Sequence, residues 1–145
     1  MEKVIIIVMM CVLILGCSNI ETEEYSKPDS KYDGEKIFYI NSYHEGYGWS
    51  DGIERSVVEG LNDTGVDLKI FRMDSKRNTD EEFIEKKAFE AKTMIDEFDP
   101  DVIITSDDNA FKFIVKPYYE DSDIPVVFCG VNWDVSRYGG PYNNT

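Results

Sequence analysis

The chain has 145 residues, enough for one domain that buries a working hydrophobic core. Its 29 acidic residues outnumber the 15 lysines and arginines, which gives a formal net charge of -14. Phosphate binding needs clustered Lys and Arg, so this charge argues against a nucleic-acid-binding protein. The same charge repels an anionic bilayer, so membrane attachment needs a cause other than electrostatics.

Residues 1–16 have the pattern of a leader peptide. The apolar run at residues 4–15 is shorter than the about 20 residues of a transmembrane helix, but it fits the hydrophobic region of a signal peptide. Residues 14–17 (ILGC) resemble the lipobox of bacterial lipoproteins, in which a small residue precedes the lipidated Cys. The resemblance implies an extracytoplasmic protein that is anchored to the membrane by lipid on Cys17. An ordinary signal peptide with an incidental Cys is the alternative.

Residues 17–35 are polar, which predicts a flexible tether, and the folded domain is predicted to cover residues 36–145. Cys129 is the only cysteine of that domain, and His44 is the only histidine of the chain. We therefore expect no intrachain disulfide. Cys129 lies in an apolar run, so we interpret it as a small buried hydrophobic residue and not as a nucleophile.

Four segments of the domain have the apolar pattern of β-strands. They are residues 36–41, 66–72, 102–105 and 125–129. The second segment alternates apolar and polar residues, which predicts a strand at the edge of a sheet with one face exposed to water.

Three segments with helical spacing of apolar residues lie between these strands. They cover residues 50–62, 79–98 and 108–119. We expect Ser50 to cap the first helix, and Thr79 with Glu82 to form a capping box on the second. Strands that alternate with helices predict an α/β fold, namely a doubly wound parallel sheet with right-handed crossovers.

Polar and aromatic residues follow each predicted strand. They occupy residues 41–49 (NSYHEGYGW), 74–78 (DSKRN), 106–109 (SDDN) and 130–133 (GVNW). Parallel strands end at the same edge of a sheet, and ligands of such folds bind beyond the carboxyl ends of the strands. The loops therefore predict a cleft that recognises a small polar or aromatic ligand.

The candidate ligand-binding residues are Ser42, Tyr43, Asp107, Asp108 and Asn132. We expect backbone amides near Ser42 and Tyr43 to hold a ligand carboxylate, with a simple connecting turn as the alternative. One of the two aspartates is expected to pair with a ligand amine or hydroxyl, because helix capping accounts for only one of them. Asn132 either hydrogen-bonds the ligand or shapes a turn.

Four neighbouring residues have a structural interpretation that we prefer to a ligand-binding one. Tyr47 and Trp49 are expected to pack as staples over the first helix instead of lining the cleft. Lys76 and Arg77 are expected to pair with Asp74 and Asp80 instead of binding an anion.

We do not expect an enzyme or a cofactor. A hydrolase that uses Asp107, Asp108 and His44 is the catalytic alternative, but the chain has neither a G-x-S-x-G motif nor the His spacing of a metal site. With a single His and no Cys cluster, a catalytic zinc site is improbable.

The loop motifs resemble, in the same order, four landmarks of a family of ABC-transporter substrate-binding proteins. They are residues 41–47 (NSYHEGY) with 49–51 (WSD), 74–77 (DSKR), 106–110 (SDDNA) and 125–132 (PVVFCGVN). The resemblance implies one Rossmann-like lobe of the type I periplasmic-binding-protein fold, in which two α/β lobes joined by a hinge close on a ligand. Some members resemble receptors for tryptophan or tyrosine.

The same resemblance implies a function. We expect an extracytoplasmic solute-binding lipoprotein that binds a small organic molecule, for example an amino acid, in an interlobe cleft and delivers it to an ABC permease. The alternative is an extracytoplasmic ligand-sensing domain of a signal-transduction protein. The sequence departs from the family pattern because it stops near residue 145, about where the family's chain crosses to its second lobe. We therefore expect a fragment that holds the N-terminal lobe, with a truncated gene product as the alternative.

Overall fold

The computed structural model describes residues 30–132. The predicted leader at residues 1–16, the lipidation site Cys17 and most of the predicted tether lie outside the described residues, as do residues 133–145. Among residues 30–132, no helix is long and apolar enough to cross a membrane.

Strands and helices alternate along the described chain. The strands are β1 (Lys36–Asn41), β2 (Asp67–Arg72), β3 (Val102–Ser106) and β4 (Val126–Cys129). The helices are α1 (Gly48–Leu61), α2 (Glu81–Phe98) and α3 (Asp107–Ala110), and α3 continues directly into a π-helical segment, Phe111–Tyr119.

The four strands form one parallel sheet in the order β2-β1-β3-β4. The chain moves outward from β1 to β2 through α1, and then returns through α2 past β1 to β3. Right-handed crossovers in opposite directions place α1 on one face of the sheet, and α2 with the π-helical segment on the other. The predicted α/β fold with a doubly wound parallel sheet is confirmed.

The face of the sheet beneath α2 and the π-helical segment carries the hydrophobic core. The strand side chains there are fully buried at Phe38, Ile40 and Ile103. Apolar residues spaced three or four apart on α2 pack against them, as the helical pattern predicted. The buried members of α2 are Ile84, Ala88, Ala91 and Ile95.

The opposite face is covered less completely in the described part of the chain. α1 lies on this face, and a groove of about 570 Å³ separates it from β4, lined in part by Ile53, Val57 and Cys129. Val127 of β4 points to the same side and is 55% exposed. The predicted burial of Cys129 is wrong. Its side chain points to the less covered face of the sheet, and β4 is an edge strand of the described sheet.

Both predicted helix caps are wrong. α1 begins two residues earlier than predicted, with Tyr47 at the N-cap position, and Ser50 instead donates its hydroxyl to the Tyr47 carbonyl at 3.2 Å. α2 begins at Glu81, and the Asp80 carboxylate caps it by accepting the Phe83 N–H at 3.1 Å. A charged carboxylate is a strong acceptor at the positive end of a helix, which favours Asp80 over the neighbouring hydroxyl.

β2 is an edge strand as predicted, but only part of the face that was expected to be exposed to water is exposed, since Asp67 is exposed and Lys69 is half-buried. Phe71 belongs to that face and is only 6% exposed, because it joins the core beneath α2. Leu68 and Ile70, which were expected to be the buried side, are half-buried.

The folded body also begins earlier than predicted. The Tyr32 N–H donates to the Thr64 carbonyl at 3.3 Å, and the Asp67 N–H donates to the Glu35 carbonyl at 2.8 Å. Residues 30–35 therefore pack against the connection between α1 and β2 instead of forming the end of a tether. Gly65 in that connection has a φ of 86°, a left-handed conformation that glycine adopts without strain.

Candidate functional site

The carboxyl ends of β1 and β3 lie side by side at the point where the winding direction reverses, which is where ligands bind in doubly wound sheets. Ser42 joins the two ends. Its backbone N–H and its hydroxyl both donate to the Ser106 carbonyl, at 3.3 Å and 2.6 Å. The same hydroxyl accepts the Ala110 N–H at 2.8 Å. Ser42 is fully buried, so its side chain positions the loops instead of presenting a group to a ligand.

The loop after β2 joins the same hydrogen-bonded unit through Ser75. Its N–H and its hydroxyl both donate to the Ser42 carbonyl, at 3.0 Å and 2.6 Å. The Asn109 side chain in turn donates to the Ser75 hydroxyl at 2.8 Å. Neither residue was among the candidate ligand-binding residues, although both lie in loops that were predicted to form the cleft. The position of Ser75 three residues after the end of β2 is the signal that could have identified it.

Asp107 is the central acidic residue of this edge. It is 2% exposed and has a left-handed φ of 67°, which costs a residue with a Cβ about 1 kcal/mol or more. Its Oδ1 accepts the indole N–H of Trp49 at 2.9 Å. Its Oδ2 is buried and has no hydrogen-bond partner among the described residues. A strained, buried carboxylate with an unsatisfied oxygen is a candidate for ligand recognition.

The surroundings of Asp107 raise the pKa of its carboxyl above the ordinary value of 3.8. Burial raises the pKa of the Asp107 carboxyl most strongly and the charge of Asp108 raises it further, while the Trp49 hydrogen bond and the charge of Lys76 lower it. The loop after β4 lies directly against the carboxylate at Gly130. A Cβ at Gly130 would lie 3.3 Å from Asp107 Oδ1, and the φ of 69° also favours glycine.

Asp108 and Asn132 bind each other. One Asp108 oxygen accepts the Asn132 backbone N–H at 3.1 Å, and the other accepts the Asn132 side-chain amide. This pairing ties the loop after β4 to the first turn of α3. Both predicted residues therefore lie at the edge, and Asn132 takes the turn-shaping role that the sequence left as an alternative.

Two tyrosines form the aromatic part of the edge. The rings of Tyr43 and Tyr47 meet edge to face with their centroids 5.2 Å apart. The Lys76 ammonium lies 5.1 Å from the first centroid and 5.2 Å from the second. Burial, followed by the negative charges of Asp107 and Asp108, raises the pKa of Tyr43 to about 12.

The predicted roles of Tyr47, Trp49 and Lys76 are wrong. Tyr47 and Trp49 are not staples over α1, because Tyr47 packs against Tyr43 and the Trp49 indole bonds Asp107. Lys76 lies over the tyrosine rings instead of pairing with Asp74.

The predicted ion pair of Arg77 is confirmed. Its guanidinium donates to both oxygens of Asp74, at 2.6 Å and 2.7 Å. This bond is the main cause that lowers the pKa of Asp74. His44 lies at the same carboxylate, with Nδ1 3.5 Å from Asp74 Oδ1.

Metal binding and a reactive thiol are two other kinds of chemistry that a cleft of this kind could contain. Residues 30–132 hold no group of three or more His, Cys, Asp or Glu side chains placed to bind a metal ion. Although Cys129 is exposed by its accessible area, the protein atoms around its sulfur remove water from it. This desolvation, and next the charge of Asp107, raises the pKa of the Cys129 thiol, which disfavours the reactive thiolate.

A polar network beneath Tyr43 links three elements. Asn41 accepts the Tyr43 N–H at 2.8 Å and donates its amide to Glu54 at 3.1 Å. Arg72 donates Nε to the same carboxylate at 2.9 Å and Nη2 to its other oxygen. This network connects β1, β2 and α1 at the carboxyl end of β1, just before Tyr43.

No protein-family model, no curated protein and no solved structure matches the chain. The resemblance to ABC-transporter substrate-binding proteins therefore stays a prediction, and the case for a function depends on the geometry of the edge.

Proposed function

We propose that the chain is the ligand-binding lobe of an extracytoplasmic solute receptor, which binds a small organic molecule such as an amino acid and delivers it to an ABC permease. The observation that carries the proposal is the unsatisfied Oδ2 of Asp107 at the switch between β1 and β3. An unpaired buried carboxylate oxygen costs free energy that a ligand donor recovers.

The proposed mechanism is binding without chemistry. Asp107 supplies the charge and Tyr43 an aromatic surface, while Asp108 and Asn132 hold the β4 loop in place at the rim. Ser42 acts as a positioning residue, because its hydroxyl already hydrogen-bonds the Ser106 carbonyl and the Ala110 N–H and is not available to a ligand. A second lobe would close over the ligand by hinge motion, and a permease would recognise the closed form.

The binding proposal is tested by thermal unfolding of the full chain, purified in detergent, against a panel of amino acids and other small solutes. A ligand at ten times its Kd stabilises the domain by about 1.4 kcal/mol, which raises the Tm of a domain of this size by several degrees. We expect a hit to lose this shift in Asp107→Asn and to keep it in Asp63→Asn. Asp63 is the matched control, because it is an exposed aspartate with a similar left-handed φ of 60°. A panel in which no solute shifts the Tm would overturn the proposal.

The transport part of the proposal needs a cellular measurement. Deletion of the gene is expected to lower uptake of the hit solute by tenfold or more at submicromolar concentration, and expression of the gene restores it. Unchanged uptake together with a lost transcriptional response to the solute would identify a ligand-sensing domain instead.

Lipidation at Cys17 is a separate prediction. Cys17→Ser is expected to abolish incorporation of radiolabelled palmitate and to release the protein from the membrane fraction, because the acyl chains are the proposed anchor. Cys129→Ser is the control and should keep both the label and the fractionation. Equal labelling of Cys17→Ser and wild type would contradict the lipobox interpretation.

A further inference from the structure

Lys76 occupies a position that suits a ligand. Its ammonium lies about equally far from the Tyr43 and Tyr47 ring centroids, at 5.1 Å and 5.2 Å, and the two rings stand edge to face around it. Two aromatic faces directed at one cation form the core of an organic-ammonium site. The Lys76 side chain is exposed, so its ammonium can leave the rings and be hydrated at small cost.

The charges around this position are negative and incompletely neutralised. Asp107 lies close enough to Lys76 and to Tyr43 to act on both electrostatically, and its Oδ2 has no hydrogen-bond donor among residues 30–132. Arg77 supplies no free charge to the edge, since its guanidinium is held by both oxygens of Asp74. An anionic ligand group would therefore meet one exposed lysine and the repulsive charge of Asp107, whereas a cationic group meets two rings and is attracted by that charge.

We infer that Tyr43 and Tyr47 form a site for a primary ammonium group of a small organic ligand, with the charge of Asp107 nearby, and that Lys76 occupies this site in the unliganded chain. The inference rests on the proposed function and names the charged group that the edge accepts. The resident cation is itself a primary ammonium. Asp107 Oδ1 bonds Trp49 and Oδ2 has no partner among residues 30–132, so this carboxylate acts on the site through its charge and not through a hydrogen bond. Ligand binding then requires the Lys76 ammonium to leave, which makes this residue an internal competitor.

The test is isothermal titration of the full chain in detergent with three probes that share one aromatic body. They are phenethylammonium, phenylacetate and 2-phenylethanol, which carry a cation, an anion and a neutral hydroxyl. We expect phenethylammonium to bind tightest. Lys76→Met should strengthen its binding about two- to five-fold, because the ligand no longer has to displace the Lys76 ammonium from its cation–π contacts. Asp107→Asn should weaken it about two- to five-fold, the loss expected for a nearby negative charge.

Two further variants separate competition from a structural effect of the substitution. Lys76→Arg keeps a competing cation that stacks on the rings, so it should not strengthen phenethylammonium binding as Lys76→Met does. Lys112→Met is the matched control, because the Lys112 ammonium also lies over a ring, 4.4 Å from the Phe113 centroid, but on the π-helical segment. Its affinity for phenethylammonium should equal that of wild type.

The possible outcomes distinguish this inference from the proposed function. Tighter binding of phenylacetate or 2-phenylethanol than of phenethylammonium overturns the inference, and so does unchanged or weaker phenethylammonium binding in Lys76→Met. If either result accompanies a solute that shifts the Tm in an Asp107-dependent way, the proposed function stands without the inference. If the phenethylammonium results are as expected but gene deletion leaves solute uptake unchanged, the inference stands and the transport proposal fails.

Discussion

Asp107→Asn is expected to make the domain more stable at neutral pH, by on the order of 1 kcal/mol, although it weakens ligand binding. The carboxylate is 2% exposed and one of its oxygens is unsatisfied, so the native state bears the cost of a buried charge. Asn removes the charge, keeps an oxygen for the Trp49 indole N–H, and tolerates the left-handed φ of 67°. A residue that lowers stability and raises affinity is typical of a binding site.

The raised pKa of Asp107 also predicts how the stability difference between Asp107→Asn and wild type changes with pH. Burial raises the pKa of Asp107 above the ordinary carboxyl value of 3.8, so the native state holds the proton more tightly than the unfolded state. Wild-type stability therefore falls as pH rises through the raised pKa, and the penalty is complete above it. The stability difference between Asp107→Asn and wild type should be largest at neutral pH and should vanish below about pH 3.8.

Urea unfolding at a series of pH values measures this difference. Asp108→Asn is the matched neighbour. Its carboxylate accepts two hydrogen bonds from Asn132, so loss of its charge should leave stability unchanged or lower it. If Asp107→Asn were less stable than wild type at neutral pH and the gap did not depend on pH, the carboxylate would be a structural group and not a ligand-binding one.

Glu54→Ala is expected to destabilise the domain by about 2–3 kcal/mol. Glu54 accepts from Asn41 and from two nitrogens of Arg72, so its removal leaves three donors without their acceptor. Asn41 is fully buried, which means that water cannot replace the lost partner of its amide. Because Asn41 also holds the Tyr43 N–H at 2.8 Å, the first loop of the site should loosen as well.

A double-mutant cycle in urea with Arg72→Met isolates the ion pair from the rest of the network. The coupling energy between Glu54 and Arg72 should be about 1 kcal/mol or more, since the Glu54 side chain is only 14% exposed. Glu59→Ala provides the control on the exposed side of the same helix and should change stability by less than about 0.5 kcal/mol. Equal effects of Glu54→Ala and Glu59→Ala would show that the network contributes nothing.

Local pattern was sufficient to predict the fold class. The apolar runs that became β1, β3 and β4 were located to within one residue, because buried strands need continuous apolar sequence. Their alternation with helices required parallel pairing, and parallel pairing required the loops after each strand to meet at one edge. Asp107 and Tyr43 were therefore identified as candidate site residues before their surroundings were known.

Helix starts and exposure on the sheet were predicted less well. Thr79 and Asp80 are both acceptable capping residues in sequence, and only the path of the preceding loop decides which of them reaches the free amides of α2. Cys129 lies in an apolar run, yet it is exposed because burial depends on what covers its face of the sheet.

By itself the sequence determined the α/β architecture, the common edge of the loops and the local Arg77–Asp74 ion pair, since each follows from residues that are close along the chain. Tertiary structure alone decided which groups meet across the edge. The Trp49 bond to Asp107 spans 58 residues, and Lys76 reaches two tyrosines that belong to another loop. The unsatisfied oxygen of Asp107 is likewise a property of everything packed around it. Contacts of this kind depend on strand order and crossover handedness, which bring distant residues together without leaving a periodic signal in the sequence.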